Sequence, residues 1–169
     1  MTGQLPVART HDEALLWLER VPCDGCATTS MNWEHGLAQD DIGELVLAYD
    51  TECSSCGTDR EYYFELPERE TGLGAFGGSE PSELIDAGQW LALADELASR
   101  VPTDDPIARA ERLGWAAAAV DEVLKFVPVG EDDVPDWAFW TEDGRQTRDE
   151  QPGRFRRQRL EVVLATYRP

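Results

Sequence analysis

Apolar residues recur at two different intervals along this chain, and the change of interval divides it. Near the N-terminus Ala14, Leu15, Leu18 and Val21 repeat at the three- and four-residue spacing of a helix face, which predicts a short helix stopped by Pro22. Ahead of it, Thr10-His11-Asp12-Glu13 has the form of a capping box, the Thr10 hydroxyl facing the N–H three residues on while Glu13 reaches back. From Glu44 the interval drops to two. Leu45, Leu47 and Tyr49 share one face of a strand, and Tyr62, Tyr63, Phe64 and Leu66 predict another. Between them Thr28 to Trp33 suits an extended segment, and residues 34–43 read as a loop rich in Gly and Asp.

The second half returns to helical spacing. From Ser82 to Val101, Leu84, Ala87, Leu91, Ala94, Ala98 and Val101 step by three and four, with Trp90, Leu93 and Leu97 widening the stripe. Asp105 followed by Pro106 is a strong helix start, and Ala110, Leu113, Ala117, Val120, Leu124 and Val127 repeat the pattern. These two helices predict an antiparallel hairpin with alanines at the contact. Asp136 to Trp140 with Asp143-Gly144 predicts a small β-hairpin near 137–147. Arg154 to Tyr167 fits a helix, although Leu160, Val162, Leu164 and Thr166 also alternate as a strand would; the helix is favoured. The expectation is an α+β chain: a three-stranded antiparallel lobe with a short N-terminal helix over 1–70, a Gly-rich connector over 71–80, and a mostly helical lobe built on the helix hairpin over 81–169.

With 41% hydrophobic and 29% charged residues, the chain is not mainly disordered, and no apolar run is long enough to cross a bilayer. The start Met1-Thr2-Gly3-Gln4-Leu5 has no export signal, so a cytoplasmic, thiol-reducing location is expected. The net charge of -19 changes the picture more. Such a surface repels phosphate backbones, which disfavours nucleic acid and favours a basic protein as partner. Only the tail is basic, with Arg154, Arg156, Arg157 and Arg159 positioned to pair with carboxylates of this chain or, through self-association, of another copy.

The four cysteines form two pairs of equal spacing, Cys23–Cys26 and Cys53–Cys56. Four thiolates so arranged can close a tetrahedral zinc site; an iron centre uses the same ligands and stays open. A thioredoxin-like redox role fits less well, because neither pair opens a helical pattern. Two C-x-x-C knuckles, the second followed by Gly57 and carried between two strands, make residues 21–66 resemble a zinc ribbon. The resemblance implies a structural zinc on Cys23, Cys26, Cys53 and Cys56, in a family whose members often bind nucleic acid or proteins. This chain departs from the nucleic-acid binders in surrounding the hairpin with Glu52, Asp59, Glu61 and Glu65, opposed only by Arg60.

Other motifs carry less. His35, between the knuckles, reads as a loop residue, and His11 as a solvent-facing one. Gly72-Leu73-Gly74-Ala75-Phe76-Gly77 matches a dinucleotide fingerprint in letters but not in context: no strand feeds it directly, and Glu80, Glu83 and Asp86 crowd the helix start where a pyrophosphate would sit. Glu131-Asp132-Asp133 lacks calcium-loop spacing and reads as a solvated acidic loop. Trp137 and Trp140, outside any long apolar stripe, are candidates with Asp132 and Asp133 for a partner-binding surface. No nucleophile, base and oxyanion donors converge in the sequence. The reading is therefore a zinc-stabilised acidic adaptor, with a neutralising partner of a basic protein, and then a small enzyme or thiol redox protein, as the alternatives.

Overall fold

The computed structural model describes residues 5–67 and 74–168. The chain divides into two compact units, Met1–Glu70 and Thr71–Pro169. No helix among the described residues is long and apolar enough to cross a membrane.

In the first unit, helix α1 spans His11–Leu18 and Thr10 caps it as expected, the Glu13 N–H donating to the Thr10 hydroxyl at 3.1 Å. The Glu13 side chain is engaged by Arg9. It is fully buried and accepts from the Arg9 backbone N–H at 2.8 Å and from the Arg9 guanidinium at 2.6 Å. A buried pair of this kind contributes little net stability when intact but is costly to break on one side.

Strands β1 (Glu34–Gln39), β2 (Leu45–Glu52) and β3 (Asp59–Glu65) form an antiparallel sheet in the order β1-β2-β3. The first strand corrects the sequence reading: it lies in the stretch taken as a loop, while Thr28 to Trp33 is outside any strand. Its residues lack the alternation of a half-buried strand. What fixes it is backbone pairing with β2, from Glu34 opposite Asp50 to Gln39 opposite Leu45. The turn is tied by Asp40, whose carboxylate accepts from the Ile42 and Glu44 N–H groups at 3.0 and 2.8 Å.

An aromatic cluster joins α1 to the sheet. Trp17 meets Tyr62 and Phe64 edge-on at 5.3 and 5.7 Å, and Tyr49 meets Phe64 at 5.6 Å. Such pairs each add about 0.5–1.5 kcal/mol beyond the area they bury. A unit of this size still has too small a core to be secure on packing alone.

The second unit is helical. Helix α2 (Ala87–Ser99) packs on α3 (Pro106–Lys125), α3 on α5 (Arg157–Tyr167), and α2 on α4 (Glu142–Glu150). Asp105 caps α3 through the Ile107 and Ala108 N–H groups, with Pro106 at the first position. Helix α2 begins later than its apolar stripe, because Asp86 and Gln89 form a reciprocal capping box. Asp86 is fully buried, and its other oxygen accepts from both the backbone N–H (2.9 Å) and the hydroxyl (2.6 Å) of Thr141. Thr141 in turn caps α4 by accepting the Gly144 N–H at 3.0 Å. One carboxylate thus ties together the starts of two helices. The approach is so close that a Cβ on Gly144 would lie 2.1 Å from that carboxylate, and one on Gly88 would lie 2.3 Å from the Gly144 carbonyl oxygen.

The hairpin expected near 137–147 is absent. Asp136–Ala138 is a single 3₁₀ turn and Glu142–Glu150 is a helix. Asp143-Gly144 sits in the first turn of α4, where Thr141 and the buried Asp86 supply the cap that the dipeptide alone does not reveal. The tail is helical, as favoured.

Two residues of the Gly-rich match, Gly72 and Leu73, lie outside the described residues. From Gly74 onward the stretch packs into the second unit: Phe76 lies 5.0 Å from Trp90 and 4.9 Å from Trp115. The Lys125 ammonium, paired with buried Glu122, donates to the Gly77 carbonyl at 3.3 Å. Gly74 takes a left-handed φ of 78° with open space where a Cβ would stand, so it serves a turn.

Candidate metal centre

The four cysteine sulfurs, from two loops well separated in the chain, all lie within 4.8 Å of one another. Across the knuckles, the sulfurs of Cys23 and Cys56 are 3.6 Å apart and those of Cys26 and Cys53 are 3.7 Å apart. Four sulfurs at the usual Zn–S distance of about 2.3 Å form a tetrahedron with edges of about 3.8 Å. The sulfurs thus surround a space of the right size for one such ion, and all four are free thiols.

The knuckles are built alike. Cys23 N–H donates to the Thr28 carbonyl at 2.8 Å and Ala27 N–H to the Cys23 carbonyl at 2.7 Å; Cys53 N–H donates to Thr58 at 2.9 Å and Gly57 N–H to Cys53 at 2.7 Å. Each turn closes with a left-handed residue, Ala27 at φ 59° and Gly57 at φ 71°. The first cysteine of each pair is buried and the second exposed. Gly25 is needed for another reason: a Cβ there would lie 2.5 Å from the Thr58 hydroxyl and 2.9 Å from the Cys56 sulfur. The repeated Cys-x-x-Cys-[Ala/Gly]-Thr form, legible in the sequence, marks the two knuckles as equivalents.

Electrostatics favour a cation at the centre. The Gly25 backbone N–H, against the opposing effect of burial, brings the Cys23 thiol down to about 6. The Thr58 hydroxyl and N–H lower Cys56. Against the pull of the Thr28 backbone N–H, burial and the neighbouring Cys56, Cys53 and Cys23 sulfurs push Cys26 up to about 12. Four crowded sulfurs resist holding four negative charges unless a positive ion lies among them. Arg60 supplies a further positive charge. Buried on β3, it donates to the Pro22 carbonyl at 2.9 Å, approaches Asp24 at 3.6 Å and hydrogen-bonds the Tyr62 hydroxyl. It therefore joins the hairpin to the first knuckle.

The left-handed Ala27 gives a test. A side chain costs about 1–2 kcal/mol in this conformation, partly offset by the added unfolded-state freedom of glycine. Ala27→Gly is expected to stabilise the metal-loaded first unit by up to about 1 kcal/mol, read as a rise in its unfolding midpoint, and Gly57→Ala to lower it by about as much.

The histidines are not ligands of this cluster; His11 is exposed in the first turn of α1, as read, whereas His35 is in a strand and not a loop. His35 lies in β1, and its ring is 4.2 Å from that of His11. His11 Nδ1 is 2.8 Å from the hydroxyl of buried Tyr49. Burial and the facing His35 hold the His11 pKa below its ordinary 6.5, with Asp12 opposing them. The first unit should have this contribution in full above pH 6.5 and lose it as pH falls through the lower folded value. Unfolding followed in saturating metal between about pH 7.5 and 5.5 should show the loss, and His35→Gln should make it shallower.

In the second unit, Trp137 and Trp140 are exposed by 61% and 40%, both resting on buried Phe126. The two tryptophans line a cleft that Asp132 and Asp133 do not. Asp132 accepts the Arg157 backbone N–H at 2.7 Å, and Asp133 lies 3.9 Å from the Arg156 guanidinium, so this acidic loop is held to the tail. The carboxylates beside the tryptophans are those of Glu80 and Glu83, which sequence reasoning had considered only as obstacles to phosphate.

No family model matches the chain, and no curated protein or solved structure matches it.

Proposed function

We propose that the chain is a metal-stabilised, acidic protein-binding module. A zinc ion held by Cys23, Cys26, Cys53 and Cys56, in the manner of a zinc ribbon, rigidifies the first unit, which presents carboxylates to a basic partner protein. Zinc is the ordinary occupant of a closed four-thiolate structural site, and such a site has no open position for chemistry.

One observation carries the binding role. Glu34, Asp50 and Glu61 stand directly opposite one another across the three strands, with Glu52 opposite Asp59 beside them. All five are exposed, and none forms an ion pair with a basic residue among the described residues. Like charges directly opposite on a sheet oppose folding, so this face is suited to being covered by positive charge. The single basic residue of the β2–β3 hairpin, Arg60, is turned to Pro22 and Asp24, which favours a protein over a nucleic acid as the partner.

Binding of metal-loaded protein to poly-L-arginine, titrated against salt, tests this. Changing Glu34, Asp50 and Glu61 together to their amides should weaken binding more than the same change at Asp104, Glu111 and Asp149, which are exposed in the second unit. Equal effects from the two triple variants would refute a dedicated sheet face.

A further inference from the structure

Strand β1 is the open edge of the sheet in the first unit. The opposite edge is partly covered, since Val7 bridges to Glu65 and the Glu65 N–H donates to the Pro6 carbonyl at 3.0 Å. Among the described residues no strand or bridge lies beyond β1, and all of its residues but Ala38 are exposed. The ladder shows which backbone groups face outward. The Asp40 N–H donates to the Glu44 carbonyl at 2.9 Å, and antiparallel pairing alternates, so Ala38, Gly36 and Glu34 turn their backbone groups to Val46, Ala48 and Asp50. His35, Leu37 and Gln39 turn theirs away from the sheet, as a row of donors and acceptors that another strand can pair with. Proteins blunt such edges with proline, lysine or a bulge; β1 has no proline or lysine, and its register with β2 is unbroken.

The side chains select the strand that fits. Residues directly opposite one another share a face, so Leu37 lies with Leu47 and, one pair further on, Leu45. Leu37 and Leu45 are 64% and 54% exposed, and an apolar side chain beside Leu37 would cover both kinds of surface at once. The other face carries Glu34, Gly36 and Ala38, and Asp50 and Glu61 continue the row that Glu34 begins. Glu34 and Asp50 pair with no basic group among the described residues, and Glu61 accepts from the Tyr63 hydroxyl at 3.3 Å. A Cβ on Gly36 would meet nothing within 4 Å, so the floor beside Glu34 is open to a long side chain from a neighbouring strand. Arginine or lysine there lays its methylenes over Gly36 and brings its charge to the carboxylates.

We propose that β1 accepts an added strand: an extended segment of the basic partner in which apolar and basic residues alternate, the apolar side against Leu37 and the basic side toward Glu34 and Asp50. The proposal rests on the basic-partner reading and deepens it by giving the mode of binding, backbone pairing along a sheet edge, and the pattern of the segment bound.

The test uses the full, metal-loaded chain and two short capped peptides of the same composition, one alternating valine with arginine, the other with all its valines before all its arginines. Plain charge attraction treats the two alike, whereas strand addition needs the alternation. By calorimetry the alternating peptide is expected to bind at least about tenfold more tightly. It should also slow amide hydrogen exchange at His35, Leu37 and Gln39 at least about tenfold, with little change at Gly36 and Ala38. Leu37→Pro removes one outward donor and leaves the bonds to β2 in place, so it should weaken the alternating peptide at least about tenfold. If that variant does not fold, the exchange pattern of the parent decides alone. Equal affinity for the two peptides, or binding without slower exchange at His35, Leu37 and Gln39, would overturn the proposal. The two readings fail separately. If both peptides bind alike and the triple amide variant at Glu34, Asp50 and Glu61 weakens both, strand addition fails and the acidic face stands; if neither peptide nor poly-L-arginine binds the parent, both fail.

Discussion

Replacing Cys53 with serine is expected to unfold the first unit at room temperature and to abolish its metal content. The argument is one of relative magnitudes. A core of this size supplies roughly 3–5 kcal/mol, whereas binding at a structural zinc site is worth about 10–16 kcal/mol near neutral pH. Cys53 is buried and closes the second knuckle through its own backbone, so serine there removes a sulfur ligand and leaves a poor one in its place. Hydrogen exchange should show protection lost across β1, β2 and β3 while α2 and α3 retain theirs, and elemental analysis should fall from one zinc per chain to none. A strong chelator should act on the parent in the same way, and acid should release the metal by protonating the thiolates. Parent protein that carries no transition metal, or a serine variant as protected as the parent, would show that the sulfur cluster is not what supports this unit.

Asp86→Ala should be the most damaging single change in the second unit, at about 3–5 kcal/mol. The carboxylate is fully buried and accepts from the Gln89 N–H, the Thr141 N–H and the Thr141 hydroxyl. Alanine leaves three donors without their acceptor, and each buried orphan costs about 1–3 kcal/mol before any relaxation. Against a total of about 5–15 kcal/mol for an ordinary domain, that is a large share. Urea unfolding followed through the helical signal should show the midpoint fall. Gly144→Ala should produce a loss of similar size, because its Cβ has no room beside the same carboxylate. If both variants unfold with the parent's midpoint, the shared cap is not holding α2 to α4.

The contrast between the two units shows what sequence makes legible. The cysteine spacing identified all four members of the sulfur cluster, because ligand geometry demands a fixed short gap within each knuckle. Helix α3 was equally plain, since Asp105-Pro106 specifies a start locally and the alanine-rich stripe continues it. The failures share a different cause. Strand β1 has no apolar alternation and exists because β2 offers it a ladder. The expected hairpin around Asp143-Gly144 gives way to α4 because Thr141 meets Asp86, 55 residues earlier in the chain. Trp137 and Trp140 were grouped with Asp132 and Asp133 from nearness in sequence, whereas the residues that share their cleft include Glu80 and Glu83, far off in the chain. In each case a distant partner overrode the local pattern. The Asp86–Gln89 capping box and the paired threonines at 28 and 58 were available signals, marking the start of α2 and the equivalence of the two knuckles.

Lys125 is the only lysine of the chain. Its ammonium is engaged by Glu122 and the Gly77 carbonyl, leaving the side chain 12% exposed. Reagents and enzymes that acylate side-chain amines, including those that attach ubiquitin-like tags, therefore find a single target, already occupied inside the fold. Bioconjugation through lysine would have to undo that contact first.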